Sequence, residues 1–292
     1  MIRTVQRMNF FSHRYAEQFL INIETYDSCS EMLEDLKERR ITDSRFHDMR
    51  NKLMEPWWDG VKTYNQALDL LSDGYALAVK RIYAEIMTKS GRPIPGMNTG
   101  AKTIMSPEGY QPIVPLAING IPNNMLLRRQ EKVEARVLNL FIDAACLCNT
   151  TSKALLRCGI QLVKSIYNLE MCGHRVNLYI CCTSAGTASA DLLCIKIKNS
   201  NSPLDLTRIS FPLCHVAFTR VIFFDWYSKF PPGIYRKRYG TTLDHAIGKV
   251  NANQVMKKFF GPTSLLVSVQ KLMENGETYL KEELAISKII RE

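Results

Sequence analysis

The pattern of apolar and polar residues has a helical period in the first ~90 residues of the chain. Ser28 and Glu31 have the spacing of a capping box, which marks the start of an amphipathic helix. A second helical pattern covers residues 59–90, where Gly74 is expected to bend or divide it. The tryptophan pair before it is interpreted as a packing anchor. These patterns predict a helical N-terminal region.

A connecting segment is predicted for residues 91–124, which hold six of the twelve prolines and five glycines. Within it, residues 114–122 could form a short extended piece. The basic stretch that follows leads into the first buried strand. If this stretch is helical, four cations share one face of it: Arg128, Arg129, Lys132 and Arg136.

Strands and helices alternate from residue 137 onward. The predicted strands are 137–142, 176–182, 191–198, a fourth ending near Asp225, and 264–269. The predicted helices are 151–171, 205–219, 242–259 and 277–291, with Pro212 expected to kink or divide the second. Only about eight residues separate strands two and three, too few for a parallel crossover, so they should form an antiparallel hairpin. Lysines alternating with isoleucines at the end of strand three indicate an edge strand.

The predicted fold class is therefore α/β. It has a Rossmann-like, mostly parallel sheet with one antiparallel edge strand, preceded by a helical N-terminal region. We divide the chain into residues 1–124, the helical region and connecting segment, and residues 125–292, the α/β domain. Asp143 ends the first strand of that domain and faces the start of the next helix. Open α/β sheets place their ligands at such a carboxyl edge.

Three phrases in this half carry a resemblance to a known family: NLFIDAACLCNTTSKALL, GHRVNLYICC and DLLCIKIKNSNSPLDLTRISFPL. They resemble a divergent von Willebrand factor A-type (vWA-like) domain, over roughly residues 136–269. They are also similar to bacteriophage proteins that carry such a domain and have no settled activity. The resemblance implies a domain that docks partners.

A-type domains that bind a metal follow their first strand with D-x-S-x-S, whose oxygens suit Mg²⁺. Here Asp143 matches the first position, but Ala145 and Leu147 replace the serines. Asp225 is the candidate for a second carboxylate. The resemblance thus implies a degenerate metal-ion-dependent adhesion site, with no cofactor expected and Mg²⁺ as the ion it would hold. The alternative is that Asp143 accepts hydrogen bonds from the following helix N-terminus.

Composition and motifs indicate where in the cell the protein works and which catalytic sites it lacks. The nine cysteines are odd in number and lie mostly in apolar patterns, which indicates reduced, buried thiols in an intracellular protein. No apolar run approaches the ~20 residues of a membrane span, and a signal peptide is not indicated, so we expect a cytoplasmic protein without membrane contact. Phosphate loops, nucleophile elbows and zinc-protease motifs are absent from the sequence. Cys214 and His215 are interpreted as core residues, and no enzymatic activity is predicted.

The net charge of +10 favours polyanionic partners, although solubility alone also explains such an excess. The strongest binding signal is the basic aromatic segment, which we define as residues 229–240. It combines cations with rings that could stack on unpaired bases: Lys229, Tyr235, Arg236, Lys237, Arg238 and Tyr239. The alternative is a solvated basic loop. Arg128 and Arg129 form a second basic candidate.

The sequence therefore predicts a non-enzymatic phage binding or adaptor protein. It would bind single-stranded nucleic acid and recruit a replication or transcription enzyme, such as a phage polymerase. The alternative is a vWA-type protein-interaction module that docks an AAA+ ATPase or belongs to the virion, without nucleic-acid binding.

Overall fold

The computed structural model describes residues 4–12, 17–38, 58–89, 101–130, 137–146, 150–185, 189–227, 238–239, 242–247 and 251–286. The strands are β1 Thr4–Ser12, β2 Glu17–Tyr26, β3 Ala101–Ser106, β4 Gln111–Pro112, β5 Met125–Gln130, β6 Val137–Asp143, β7 Arg175–Ala185, β8 Ser189–Lys198, β9 Arg238–Tyr239 and β10 Ser264–Ser268. The helices are α1 Cys29–Glu38, α2 Tyr64–Asp73, α3 Ala76–Lys89, α4 Val114–Ile118, α5 Ser152–Met171, α6 Leu206–Cys214, α7 Phe224–Tyr227, α8 Leu243–Ile247, α9 Ala252–Phe260 and α10 Val269–Ile286. A π-helix, Phe218–Phe223, precedes α7.

The main sheet has the strand order β1-β2-β8-β7-β6-β10, and the short β9 pairs with β7. Three neighbouring strands, β7, β6 and β10, run parallel, as do β2 and β8. The pairs β1–β2, β7–β8 and β7–β9 are antiparallel. The α/β class and the antiparallel hairpin of β7 and β8 are therefore confirmed, within a sheet that is more mixed than expected.

Two predictions about the edge of this sheet are wrong. Thr4–Ser12 and Glu17–Tyr26 form strands rather than helices, and β2 pairs in parallel with β8, so β8 is an interior strand. The alternation of Ile21 and Ile23, both completely buried, is the strand period that the helical interpretation missed. The predicted division at residue 124 stays a prediction. The structure does show that α1, α2 and α3 contribute side chains to the same core as the sheet.

Both faces of the sheet are buried, and alternate residues of β6 divide between them. Leu138, Leu140 and Ile142 belong to the larger core cluster, which also holds the apolar sides of α5, α6 and α10. Phe141 belongs to a second cluster on the other face, with residues of β2, β8 and α9. A strand buried on both faces reads as a continuous apolar run, which is what the sequence of β6 contains.

Several local predictions are confirmed by the hydrogen bonds that begin the helices. The Ser28 hydroxyl accepts from the Glu31 N–H at 3.1 Å, and the Glu31 carboxylate accepts from the Asp27 N–H at 2.8 Å. Thr151 caps α5 by accepting from the Ala154 N–H. Trp58 is completely buried, as expected of a packing anchor, while Trp57 lies outside the described residues.

The predicted fourth strand is wrong, because residues 218–227 form the π-helix and α7. Nearly every side chain there is buried, so the run is apolar on all sides and has no period that distinguishes strand from helix. The expected break near Pro212 is confirmed. Helix α6 contains Pro212 and ends at Cys214, and the next helical stretch is bent from it by 75°.

The connecting segment and the residues directly after it form a second sheet, which we call the small sheet: β3, β4 and β5, in the order β3-β5-β4. The prediction that this region lacks regular structure is wrong for residues 101–124, and residues 114–118 are helical rather than extended. Arg128 and Arg129 lie on a strand instead of a helix. A Cβ on Gly109 would lie 2.2 Å from the Leu126 carbonyl oxygen, so glycine lets the chain cross β5 closely.

The C-terminal elements follow the predicted order. Residues 242–259 contain α8 and α9, with residues 248–250 outside the description, and β10 lies where the last strand was expected. The final helix begins earlier, at Val269, and Gly276 interrupts it with a positive φ. None of the described helices is by itself long and apolar enough to cross a membrane. The bent pair formed by α6 and Phe218–Tyr227 passes only in combination, and it is buried in the core.

We expect Gly159→Ala to destabilise the fold by about 1–3 kcal/mol, the usual cost of overpacking a core. A Cβ at Gly159 would lie 2.3 Å from the Cys214 sulfur and 2.8 Å from the Leu213 carbonyl, where α5 meets α6. Urea unfolding measures the change. Arg157→Ala, at an exposed position of the same helix, is the control and should change stability little. Equal stability of both variants would contradict this account of the helix contact.

Candidate functional site

The candidate site lies where the parallel strands β6, β7 and β10 end. The register pairs Asp143 with Cys181 on one side and with Ser268 on the other. Helix α5 begins a few residues after β6, and α10 begins directly after β10. Polar side chains and helix N-termini are therefore concentrated at this carboxyl edge, as predicted for open α/β sheets.

Asp143 is almost completely buried and is held by two backbone donors. One oxygen accepts from the Ala145 N–H at 3.1 Å, and the other accepts from the N–H of Leu243, the first residue of α8, at 2.8 Å. Burial raises the pKa of Asp143 to about 7, although these two hydrogen bonds act in the opposite direction. The alternative interpretation, that Asp143 accepts a hydrogen bond from a helix N-terminus, is thus correct as to the type of donor. The donating helix is α8, from a hundred residues downstream, rather than α5.

A charged pair lies close enough to Asp143 to affect its pKa. Asp244, the second residue of α8, binds the Lys271 ammonium of α10 at 2.6 Å. Asp244 adds to the raised pKa of Asp143, and Lys271 reduces it. On the same helix, Tyr279 accepts from the Ser268 N–H at 3.1 Å, and burial raises the pKa of Tyr279. The edge next to Asp143 therefore has its own compensating cation.

Asp225 lies on α7 rather than at a strand end, which corrects its assignment as the second metal carboxylate. Its carboxylate accepts from the Tyr64 hydroxyl at 2.9 Å and is buried among helices. Within the described part of the chain, no three His, Cys, Asp or Glu side chains are grouped as metal ligands would be. Asp143 and Asp225 have different hydrogen-bond partners, and each is satisfied by its own.

A second polar cluster at the N-terminus of α5 was missed by sequence analysis. The Arg220 guanidinium, 7% exposed, donates to the Thr150 carbonyl at 2.8 Å. Asp59 accepts from the Ser152 N–H, and the Ser152 hydroxyl accepts from the Val216 N–H. Burial alone would raise the pKa of Asp59, but the Ser152 hydrogen bonds lower it. A single arginine inside the apolar run 216–224 was the available signal, since buried arginines are nearly always paired.

His215 and the cysteines behave as core residues. The His215 Nδ1 accepts from the Ala217 N–H at 3.2 Å, and burial lowers the pKa of His215 to about 4. Its ring packs edge-on against Tyr75. Each of the eight cysteines described is a free thiol, and six of them are buried. Burial raises the pKa of Cys146, one of the two that are only partly buried.

The basic aromatic segment reaches the carboxyl edge at its C-terminal end. Arg238 and Tyr239 form β9, which pairs with Ala185 and Ser184 of β7. Ser184 lies three residues beyond the partner of Asp143 along β7, about 10 Å further. The expected position of this segment is supported, although the helix before it is not the predicted strand. The other four candidates of this segment lie outside the described residues: Lys229, Tyr235, Arg236 and Lys237.

The second basic candidate belongs to the small sheet. In β5, Arg128 is the cross-strand partner of Thr103, and Arg129 is the partner of Lys102. These two arginines are therefore on a different sheet from Arg238 and Tyr239.

A groove of about 1040 Å³ opens at the opposite edge, where the parallel pair β2 and β8 ends. Its cations already have partners. Lys196 binds Asp27 at 2.6 Å, and Lys198, which is buried, binds Glu170 at 2.5 Å. This groove offers little free positive charge to a polyanion, so the carboxyl edge of β7 remains the better candidate.

We expect the stability of the protein to fall by up to about 4 kcal/mol between pH 4 and pH 7 because of Asp143. Its pKa is raised from 3.8 when unfolded to about 7 when folded, so the native state binds the extra proton in this window. Below the window the full contribution is present, and above pH 7 it is lost. Asp143→Asn leaves one backbone donor without an acceptor at every pH, a constant cost of about 1–3 kcal/mol.

The measurement is urea unfolding of both proteins across this pH range. The parent should be the more stable protein at pH 4. Its advantage should fall as pH rises and reverse near pH 7, because the pH-dependent loss in the parent exceeds the constant cost in the variant and only the parent has the carboxyl group. A difference that is the same at every pH would show that Asp143 does not have a raised pKa.

The chain was compared with known protein families, curated proteins and solved structures. No curated protein and no solved structure matches it significantly. The sequence model of one family, described as "Domain of unknown function (DUF7192)", matches residues 15–276. That range begins before β2 and ends within α10, so it covers the small sheet and every strand of the main sheet except β1. The chain therefore belongs to the DUF7192 family of domains of unknown function.

Proposed function

We propose that this protein is a non-enzymatic adaptor that binds single-stranded nucleic acid at the carboxyl edge of β7. The observation that carries the proposal is the pairing of Arg238 and Tyr239 with the end of β7. This pairing ties the basic aromatic segment to the edge where open α/β sheets bind ligands. The neighbouring Asp143 is buried and occupied by two N–H donors, so it adds little repulsion toward a phosphate backbone.

The charge of the whole chain supports the same proposal. An excess of ten positive charges raises the local concentration of polyanions and speeds their association. Cations of the segment would follow the backbone, and its tyrosines would stack on unpaired bases. Binding of this kind tolerates many sequences, so no base preference is proposed.

In this proposal the protein is encoded by a bacteriophage and acts in the host cytoplasm. This part of the proposal rests on the resemblance of β6, α5 and β7 to a divergent vWA-like domain and to phage proteins that carry one. In this proposal the bound strand is one function of the adaptor, and recruitment of a replication or transcription enzyme is the other. Asp143 and Asp225 then have structural roles, because both are satisfied by protein groups.

The alternative is a vWA-type protein-interaction module that docks an AAA+ ATPase or a virion component and does not bind nucleic acid. The apolar side chains between β3 and β5 favour it, since Tyr110 and Ile118 are both well exposed. Co-purification separates the two proposals. A partner that stays bound after nuclease treatment and in high salt supports protein docking, whereas loss under either treatment supports a nucleic-acid bridge.

We expect the triple substitution Arg236→Ala/Lys237→Ala/Arg238→Ala to weaken binding of a fluorescent single-stranded oligonucleotide at least tenfold. Three lost phosphate contacts should also reduce the slope of log K against log salt by about 2. Fluorescence anisotropy at several salt concentrations measures both quantities.

The matched control is Lys80→Ala/Arg81→Ala/Arg175→Ala. It removes the same charge from exposed positions on α3 and at the opposite end of β7. The control should keep most of the parent affinity. If both triple variants weaken binding equally, the effect is one of net charge, and the proposed segment is wrong. Absence of binding by the parent protein at low salt would reject the function itself.

The aromatic residues should affect the affinity for the oligonucleotide without affecting its salt dependence. We expect Tyr235→Leu/Tyr239→Leu to lose about 1–3 kcal/mol of binding per stacked base while leaving the salt slope unchanged. Leucine keeps the side chain apolar and removes the ring. Phenylalanine at the same two positions should restore the affinity, because it keeps the ring. If the leucine variant binds like the parent, stacking is not part of the mechanism.

A further inference from the structure

The stretch 101–124, which contains β3, β4 and α4, exposes several large apolar side chains. Five of them are among the most exposed in the described chain: Met105, Tyr110, Val114, Ile118 and Ile121. Met105, on β3, is 61% exposed and Ile118, on α4, is 80% exposed. A large amount of exposed apolar surface usually marks a site of interaction.

The small sheet is also separate from the two hydrophobic clusters of the protein. No residue of 104–127 belongs to either cluster, and none of these residues is buried. A three-stranded sheet normally needs one packed face for its stability. A partner that covered one face of the small sheet would therefore stabilise it.

Strand β3 is an open edge of the small sheet. Among the described residues it pairs only with β5, along all six positions of Ala101–Ser106. The short β4 occupies two positions on the other side of β5. An open edge of this length presents unpaired backbone donors and acceptors, which an extended polypeptide can use by adding a strand.

The charge of residues 101–130 indicates which charge a strand added to β3 would carry. Residues 101–130 contain three basic residues and one acidic residue, Glu108. In the backbone register Lys102 of β3 lies opposite Arg129 of β5. The basic excess of this stretch favours a strand that carries carboxylates.

We infer that β3 is a docking edge for an extended protein segment in which apolar and acidic residues alternate. The segment adds to Ala101–Ser106 as a fourth strand, with its apolar side chains beside Met105 and its carboxylates beside Lys102. The net charge of +10 opposes docking of a second copy of this chain, so the occupant is an acidic partner protein. This site is separate from the basic aromatic segment and does not depend on nucleic-acid binding.

The test uses the full chain and a fluorescent peptide about ten residues long that alternates valine with glutamate. Peptides alternating valine with lysine, and serine with glutamate, separate the apolar from the charged contribution. Fluorescence anisotropy should show that the valine–glutamate peptide binds and that the two control peptides do not. Hydrogen exchange should then show added protection in residues 101–106 and none at β9.

Two variants locate the binding. Lys102→Gln and Met105→Thr should each weaken the peptide roughly tenfold, about 1.4 kcal/mol, while oligonucleotide affinity stays unchanged. Met171→Thr is the matched control, because Met171 is 69% exposed on α5, outside the small sheet. Thermal unfolding by circular dichroism confirms that the variants remain folded, and threonine keeps the strand propensity of β3.

Three results would overturn the inference. The first is equal binding of the valine–lysine peptide, and the second is an equal loss in Met171→Thr. The third is a concentration-dependent dimer of the parent protein, seen by sedimentation and abolished by Met105→Thr, which would make a second copy the occupant. Loss of oligonucleotide binding with the peptide result intact would reject the proposed function and leave this docking edge standing.

Discussion

Burial of the main sheet on both faces is the constraint on which the rest of the structure depends. Leu138, Leu140 and Ile142 point to one layer of helices, and Phe141 points to the other. Polar side chains within the strands are paired with one another, as Asn22 is with Asp191 and Asn177 is with Asn139. Asp143 stands at a strand end, and its burial is tolerated because Ala145 and Leu243 donate to both oxygens. Burial on both faces therefore requires a hydrogen-bond partner for each of these polar groups.

Charged groups near the carboxyl edge have protein partners: both Asp143 oxygens accept backbone hydrogen bonds, and Asp244 is paired with Lys271. The ion pair joins α8 to α10, and the Asp225 carboxylate joins α7 to Tyr64 of α2. At the same edge Arg238 and Tyr239 of β9 pair with the end of β7. The small sheet, in contrast, has no buried residue among 104–127, and within the described part of the chain β3 pairs only with β5.

Prediction from sequence succeeded where local signals were redundant. Helix α5 has a cap, a continuous helical period and a clear end, and the short spacing of β7 and β8 requires a hairpin. Prediction failed where a segment is apolar on all sides, as at 218–227, and where strands are short and their partners distant. The strand β2 was missed because its partner β8 lies about 170 residues away. Arg238 and Tyr239 were assigned to the correct edge, although from a wrong element.

The sequence by itself determined the α/β class, the position of Asp143 at a strand end, the basic aromatic segment and the absence of a complete metal motif. These follow from period, spacing and residue type, which are local properties. Only the tertiary structure decided that β8 is interior, that Asp143 is bound by α8, that Asp225 belongs to a helix, and that residues 101–130 form an open sheet. Each of these depends on which distant backbone groups pair, and hydrogen bonds between strands carry no signature in either strand alone.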